Sequence, residues 1–213
     1  MKIKKLGHCC LVIEVNDKRI MTDPGAYSTL QSEEKNIDII LITHEHPDHY
    51  HFESLQKVLV NNPSALLVTN TAVGKLLTEA GLKYEILEDT HSAKFKGVYI
   101  EAHGDKHAFM RSNVLPPQNT GYYIDKKFFY PGDALTNPNV PVEILALPVS
   151  APWLTIDEVL KYAQAVNPKI VFPVHDGMLN QLGIAYFVKT IPQVLEPLGI
   201  NFKKLELGKE ENL

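Results

Sequence analysis

Arginine is nearly missing: Arg19 and Arg111 are the only two in 213 residues. Lys+Arg 21 against Asp+Glu 25 leaves a formal charge of −4, so the strongly basic face of a dedicated nucleic-acid binder is not expected. Cysteine is as scarce. Cys9 and Cys10 are the only pair and they are adjacent. Consecutive strand residues point to opposite faces, which places the two thiols poorly for bonding each other. Buried, inert thiols in a reducing compartment are the expectation. A chain of this length can bury its core without disulfides. No apolar run approaches the roughly 18 residues that span a bilayer, and the basic start, Met1-Lys2-Ile3-Lys4-Lys5, lacks the cleavage site of an export signal. A cytoplasmic protein without a membrane partner is therefore expected. Internal repeats, low-complexity tracts and linkers are absent as well, so residues 1–213 read as a single domain.

The chain is 45% hydrophobic and 22% charged, the profile of a soluble globular protein. Its apolar residues fall into alternating short strands and helices. Strands are expected at 3–6, 9–15 and 19–22, then at the strongly apolar 37–43. A helix from Phe52 to Val60 should stop before Asn62-Pro63. A strand at 65–69 leads to Asn70 or Thr71, either of which can cap a helix ending near Gly81. Strands follow at 84–87 and 98–102. The polar, proline-containing stretch from His103 to Asn119 reads as a long loop, and loops of that length are often functional. Residues 121–124 and 127–130 form a hairpin with Asp125-Lys126 as its turn. Then come a strand at 144–148, a helix at 156–166 opened by the capping box Thr155-Ile156-Asp157-Glu158, a strand at 170–174, a helix near 179–195 and a last strand at 201–205. Antiparallel strands followed by β/α units imply an α/β fold of two packed mixed sheets with helices outside.

One segment dominates the chemistry: Thr43-His44-Glu45-His46-Pro47-Asp48-His49. Three histidines and an aspartate in six positions would arise by chance roughly once in a thousand sequences of this composition. Imidazole nitrogen and carboxylate oxygen are the donors preferred by zinc and its divalent neighbours. His44 and His46 lie two apart, so in extended chain they point the same way and can grip one ion. Asp48 and His49 follow across a tight turn at Pro47 and can reach a second.

This segment resembles the His-x-His-x-Asp-His signature of the metallo-β-lactamase superfamily, and the likeness extends over most of the chain. Asp23 ends the strand Ile20-Met21-Thr22, as in that family, where it props the metal loop. Pro131-Gly132-Asp133 fits the step that carries the family's bridging aspartate. Val171-Phe172-Pro173-Val174-His175 fits the strand that ends in its last histidine. The opening Leu6-Gly7-His8-Cys9-Cys10 resembles the Gly-His start of the ascorbate-6-phosphate lactonase branch. The resemblance implies a four-layer αβ/βα sandwich. It places one further histidine just past a strand, and both His103 and His107 qualify. His107 is preferred because Gly104 can turn the backbone between them. His91 and His51 read as surface polar residues, while His8 is either near the site or a satisfied structural histidine.

The ligand set that follows from the resemblance puts His44, His46 and His107 on one ion, Asp48, His49 and His175 on another, and Asp133 between them. Two ions are expected. Zinc is the first choice on ligand type, with manganese or iron also accepting such a mixture. Such a pair turns a bound water into hydroxide near neutral pH and polarises the bond under attack. Asp48 is the residue that orients this nucleophile and accepts its proton. Arg111, four residues after His107, is a candidate grip for a carboxylate or phosphate, against a solvated surface arginine. Trp153 is a candidate pocket wall, against plain packing. The resemblance makes a homo-oligomer an expectation.

The leading function is a metal-dependent hydrolase of a small anionic ester, lactone or phosphoester. The alternatives are a phosphodiesterase acting on nucleotides and a non-catalytic metal- or ligand-sensing domain of the same fold. Long nucleic acids are disfavoured by the acidic balance and by the lack of room for the second domain that the superfamily's RNA-processing nucleases carry. The helical C-terminal domain of glyoxalase II is not expected either, since only about 38 residues follow His175.

Overall fold

The computed structural model describes residues 1–213. Six strands come first: β1 (Lys2–Lys5), β2 (Leu11–Val15), β3 (Lys18–Thr22), β4 (Ile39–Leu41), β5 (Leu66–Thr69) and β6 (Glu85–Ile86). Helix α1 (Phe52–Asn61) joins β4 to β5, and α2 (Thr71–Glu79) joins β5 to β6. Then follow β7 (Ser92–Phe95), β8 (Val98–His103), β9 (Gly121–Ile124), β10 (Phe128–Tyr130) and β11 (Ile144–Pro148). Helix α3 (Ile156–Val166), β12 (Ile170–Val174), α4 (Gln181–Leu195), β13 (Asn201–Phe202) and β14 (Glu210–Asn212) complete the chain.

The strands make two seven-stranded mixed sheets, ordered β14-β1-β2-β3-β4-β5-β6 and β13-β12-β11-β10-β9-β8-β7. Alternation along each strand divides the apolar side chains between two faces. Ile13, Ile20, Ile39, Leu41, Ile100, Tyr122, Phe128, Tyr130, Ala146 and Phe172 meet in the core between the sheets. Val12, Met21, Ile40 and Leu67 turn outward beneath Leu55 and Val58 of α1 and Val73 and Leu77 of α2. Leu145, Leu147 and Val171 turn outward beneath Val159 and Ala163 of α3 and Ile191 and Leu195 of α4. Strands β4 and β11 are apolar at every position because both of their faces are covered. The result is the expected αβ/βα sandwich. Each large apolar side chain buried in it contributes about 1.5–3 kcal/mol.

Local signals account for the joints. The Asn70 side chain accepts from Val73 N, and Thr155 and Glu158 form a reciprocal capping box. Asn16-Asp17 and Asp125-Lys126 both take left-handed backbone, the two-residue turns that suit the twist of a hairpin. Several strands are shorter than their apolar runs. The ladder of β4 stops at Leu41, and Thr43 N donates instead to Asp23 Oδ1 at 2.8 Å. Likewise β2 begins at Leu11. The Cys9 carbonyl meets the Thr22 and Tyr130 hydroxyls, and Cys10 N donates to Ser28 Oγ. In both places the chain leaves the sheet to build the site. Strands β7 and β14 were not expected from the sequence. Both are edge strands with largely polar residues, held by their partners β8 and β1. No helix is long and apolar enough to cross a membrane.

Candidate metal centre

The histidines and aspartates singled out by the motif converge where the chain leaves β3, β4, β8, β10 and β12, at one rim of the two sheets. After β4 the backbone runs extended through His44 and His46, then turns: His49 N and Tyr50 N both donate to the His46 carbonyl, at 2.9 and 2.7 Å. Gly25 permits this turn to press against the loop after β3, since a Cβ there would lie 1.8 Å from the Asp48 carbonyl oxygen. Gly132, with φ +64°, sets Asp133 pointing inward, and Asn119 Oδ1 accepts from Asp133 N at 3.0 Å. His175 ends β12 in left-handed backbone at φ +58°. That is an uncommon conformation for a histidine, held because His175 N donates to the His8 carbonyl and Lys5 grips both Pro173 O and Asp176.

The donor atoms form two neighbouring groups. His44, His46, His107 and Asp133 make the first; His8, Cys9, His49 and His175 make the second. In each, the donor atoms lie within 4.8 Å of one another. Asp133 joins the groups: its carboxylate lies 3.1 Å from His49 Nε2, 3.3 Å from His107 Nε2 and 3.0 Å from His175 Nε2. Asp48 Oδ2 lies 3.3 Å from His8 Nε2 and 3.4 Å from His175 Nε2, at the more open side of the second group.

Outer partners orient the rings. His107 Nδ1 donates to Ala108 O at 2.7 Å, His175 Nδ1 to Ser150 O at 2.6 Å, and His49 Nδ1 to Asp23 Oδ2 at 2.7 Å. His44 Nδ1 meets Thr43 Oγ1, whose hydroxyl donates to Asp23 Oδ2. With the proton held on Nδ1 of these rings, Nε2 presents a lone pair to the centre. His49 Nε2, His107 Nε2, His175 Nε2 and Asp133 Oδ1 are all buried and without a hydrogen-bond partner. Buried polar atoms rarely remain unpartnered, and four of them aimed at one space fit a bound cation. The residues therefore fit the metal that the motif implies.

Electrostatics divides the groups. Burial, then the neighbouring His49 imidazole, holds His44 well below the ordinary histidine value; burial and His107 also lower His46. In the second group burial pulls the other way from the charges and loses. Cys9, Asp133 and Asp48 lift His175 to about 11, and Cys9, Asp133 and Asp23 raise His49 well above its ordinary value. Burial pushes the Cys9 thiol up, but His49, His8 and His175 bring it down to about 6. For Asp133, burial is outweighed by His49, His107 and His175, which hold it well below the usual carboxylate range.

The structure separates the two candidates on the 103–119 segment. His107 is at the centre. His103, the last residue of β8, points to the other face against Tyr123 and Phe129 and lies 3.1 Å from Glu101. Trp153 borders the centre, its ring 5.6 Å from His107 and 6.4 Å from His175. His8 accepts from Gly177 N at Nδ1 and so offers Nε2–H to Asp48. Arg111 lies in the exposed 109–115 tip and makes no side-chain hydrogen bond or ion pair there. Cys9 has neighbours beyond its expectation. It is free and buried as expected, and Cys10 faces the opposite core, but the Cys9 sulfur also lies within 4.8 Å of the donor atoms of His8, His49 and His175. Sequence reasoning also missed Tyr130, whose hydroxyl donates to Asp23 Oδ2 at 2.6 Å, and Asn119; as a buried aromatic and a loop amide they carry no distinguishing signal.

Two face-to-face mixed sheets with outer helices, bearing this histidine-aspartate cluster at their common rim, define the metallo-β-lactamase fold. The chain belongs to the beta-lactamase superfamily, whose domain model matches residues 2–175. It is 32% identical over 193 residues to Protein Rv0786c of Mycobacterium tuberculosis, covering 87% of this chain and 90% of that one. It is 23% identical over 193 residues to the UPF0173 metal-dependent hydrolase Ta0764 of Thermoplasma acidophilum, covering 82% and 83% of the two chains. Among solved structures, Igni18, a metallo hydrolase from Ignicoccus hospitalis, superposes with a TM-score of 0.75 at 19% identity, covering 100% of this chain and 98% of that one.

Proposed function

We propose that the protein is a metal-dependent hydrolase that cleaves a small anionic ester, lactone or phosphoester at a two-zinc centre. The observation that carries the reading is the convergence of buried, unpartnered nitrogen and oxygen donors from both sheets on one space. His44, His46 and His107 would hold one ion, Asp48, His49 and His175 the other, with Asp133 between. Nitrogen and carboxylate donors suit zinc, while manganese and iron accept the same set. Two divalent cations there would acidify water and polarise the oxygen of the bond under attack.

The chain's own groups supply the rest. Asp48 takes the proton of the attacking water. Burial would raise its carboxyl, but the neighbouring His175, His8 and His49 imidazoles hold it well below the usual range, so it is ionised. His8 Nε2–H fixes the orientation of that carboxylate. Trp153 walls the approach and excludes water beside His107. Beyond it lies a cleft of about 400 Å³ lined by Lys106, Phe109, Leu135 and Trp153. Lys106 and Glu158 are its charged groups, and its size and largely apolar walls suit a small substrate rather than a polymer.

The deciding experiment pairs elemental analysis with a screen of lactones, esters and phosphodiesters on wild type and Asp48→Ala. Two ions per chain, and hydrolysis lost in Asp48→Ala while metal stays bound, are expected. One ion or none under metal-replete conditions overturns the two-metal reading, and tight ligand binding without turnover would make the protein a sensor.

A further inference from the structure

Cys9 is the one soft donor near the centre, and its position is built rather than incidental. The chain reaches it through Gly7, whose φ of +155° and close approach to Ser28 leave no room for a side chain. Thr22 Oγ1 donates to the Cys9 carbonyl at 3.0 Å, and the Tyr130 phenol, whose proton is shared with Asp23, lies 3.1 Å from the same oxygen, so the residue is held from both sheets. The side chain is 1% exposed, and its sulfur lies within 4.8 Å of the donor atoms of His8, His49 and His175. His49 Nε2 and His175 Nε2 are among the buried atoms that lack a hydrogen-bond partner. Asp48 also meets His175, with 17% of its side chain exposed, whereas the Cys9 sulfur reaches the histidines from within the core. A disulfide is not its purpose: Cys10, its only partner in the chain, lies in the separate core beneath α1 and α2.

We propose that Cys9 Sγ is a metal ligand of the second group, adding a thiolate to the His49 and His175 nitrogens. The inference rests on the two-metal reading above. Binding releases the thiol proton to solvent as the sulfur–metal bond forms. A sulfur donor biases this position toward zinc, iron or cobalt and against magnesium and manganese, which prefer oxygen. The first group, with nitrogen and carboxylate only, carries no such bias, so the two positions of one centre would select metals differently.

The test loads the full-length, metal-free protein with two equivalents of Co²⁺ and records the near-ultraviolet spectrum, with bound cobalt counted by elemental analysis. A thiolate-to-cobalt charge-transfer band is expected in wild type and in Cys10→Ala, and its loss in Cys9→Ser. Cys9→Ser should also weaken uptake of one of the two ions by about 10–100-fold and shrink the preference for zinc over manganese at that position. Two bound cobalt ions without the band overturn the thiolate ligand and leave the two-metal centre standing. A band that survives in Cys9→Ser also overturns it. Failure to bind a second cobalt overturns the two-metal reading and this inference with it. The wild-type spectrum answers the question by itself should either variant fold poorly.

Discussion

The two donor groups sit side by side, share Asp133, and are prepared in opposite ways. In the first, burial dominates: His44 and His46 are held below the ordinary histidine value and are neutral, ready ligands at physiological pH. In the second, Asp23, Asp48, Asp133 and Cys9 crowd the imidazoles, and His8, His49 and His175 are all raised. Without a cation, protons take its place in the second group, whereas the first is merely desolvated. Cation uptake by the second group therefore competes with protons, and uptake by the first does not. Neighbouring positions made of similar residues can differ this far because Asp23 and Cys9 add their charge to the second group while burial prevails in the first.

The strongest way to break this contrast is to remove what the groups share. Asp133→Ala should lower bound metal to one ion or fewer and hydrolysis by at least about 10³-fold, read by elemental analysis and steady-state kinetics. Asp48→Ala touches the second group alone; a loss of about 10²–10⁴-fold in rate is expected with the first ion retained. Tyr130→Phe acts at one remove, taking a hydrogen bond from Asp23 and hence from His49. It should weaken the second ion about 10–100-fold and leave the first unchanged in a metal titration.

The pH dependence of stability sharpens the contrast further. In the metal-free protein His175 has a raised value of about 11. Its contribution is complete below the unfolded histidine value and is lost as pH rises from about 6.5 toward 11. His44 and His46 are lowered, so their sites lose stability as pH falls below about 6.5, where the unfolded chain takes protons that the folded one refuses. Urea midpoints of the metal-free protein should therefore fall on both sides of about pH 6.5, and saturating zinc should flatten the alkaline limb. An alkaline limb unchanged by zinc would break the assignment of His175. The smallest effect is expected from His103→Ala: a stability cost of about 1 kcal/mol and no change in metal content.

Much of this centre was legible in the chain. His44, His46, Asp48 and His49 occur within six positions of one another after an apolar strand, so local geometry alone brings them close. Asp133 and His175 are placed by the resemblance, through a Gly-Asp step after a hairpin and a histidine after a late strand. Gly104 marked the bend that separates His107 from His103. Alternation with Cys10 was enough to give the face that Cys9 takes, but not which histidines its sulfur meets, because that depends on how Gly7 and Ser28 bend the chain before β2 begins. For Arg111, on an exposed loop tip, neither its rarity nor its place in the loop fixes where the guanidinium reaches. Strands β7 and β14 escaped for a related reason: an edge strand is defined by the partner it pairs with, and Glu210-Glu211-Asn212 has no apolar pattern of its own.

Asp23 has a consequence for how the molecule assembles. It leaves the first sheet, takes the Tyr130 hydroxyl of the second, and hands its remaining oxygen contacts to Thr43 and His49. Neither sheet alone can complete that junction, just as neither supplies every donor of either group. The centre therefore does not exist in a half-formed chain. Tight metal uptake during refolding should appear only when the two halves of the sandwich close, so that the arrival of metal binding is a clock for the last tertiary step.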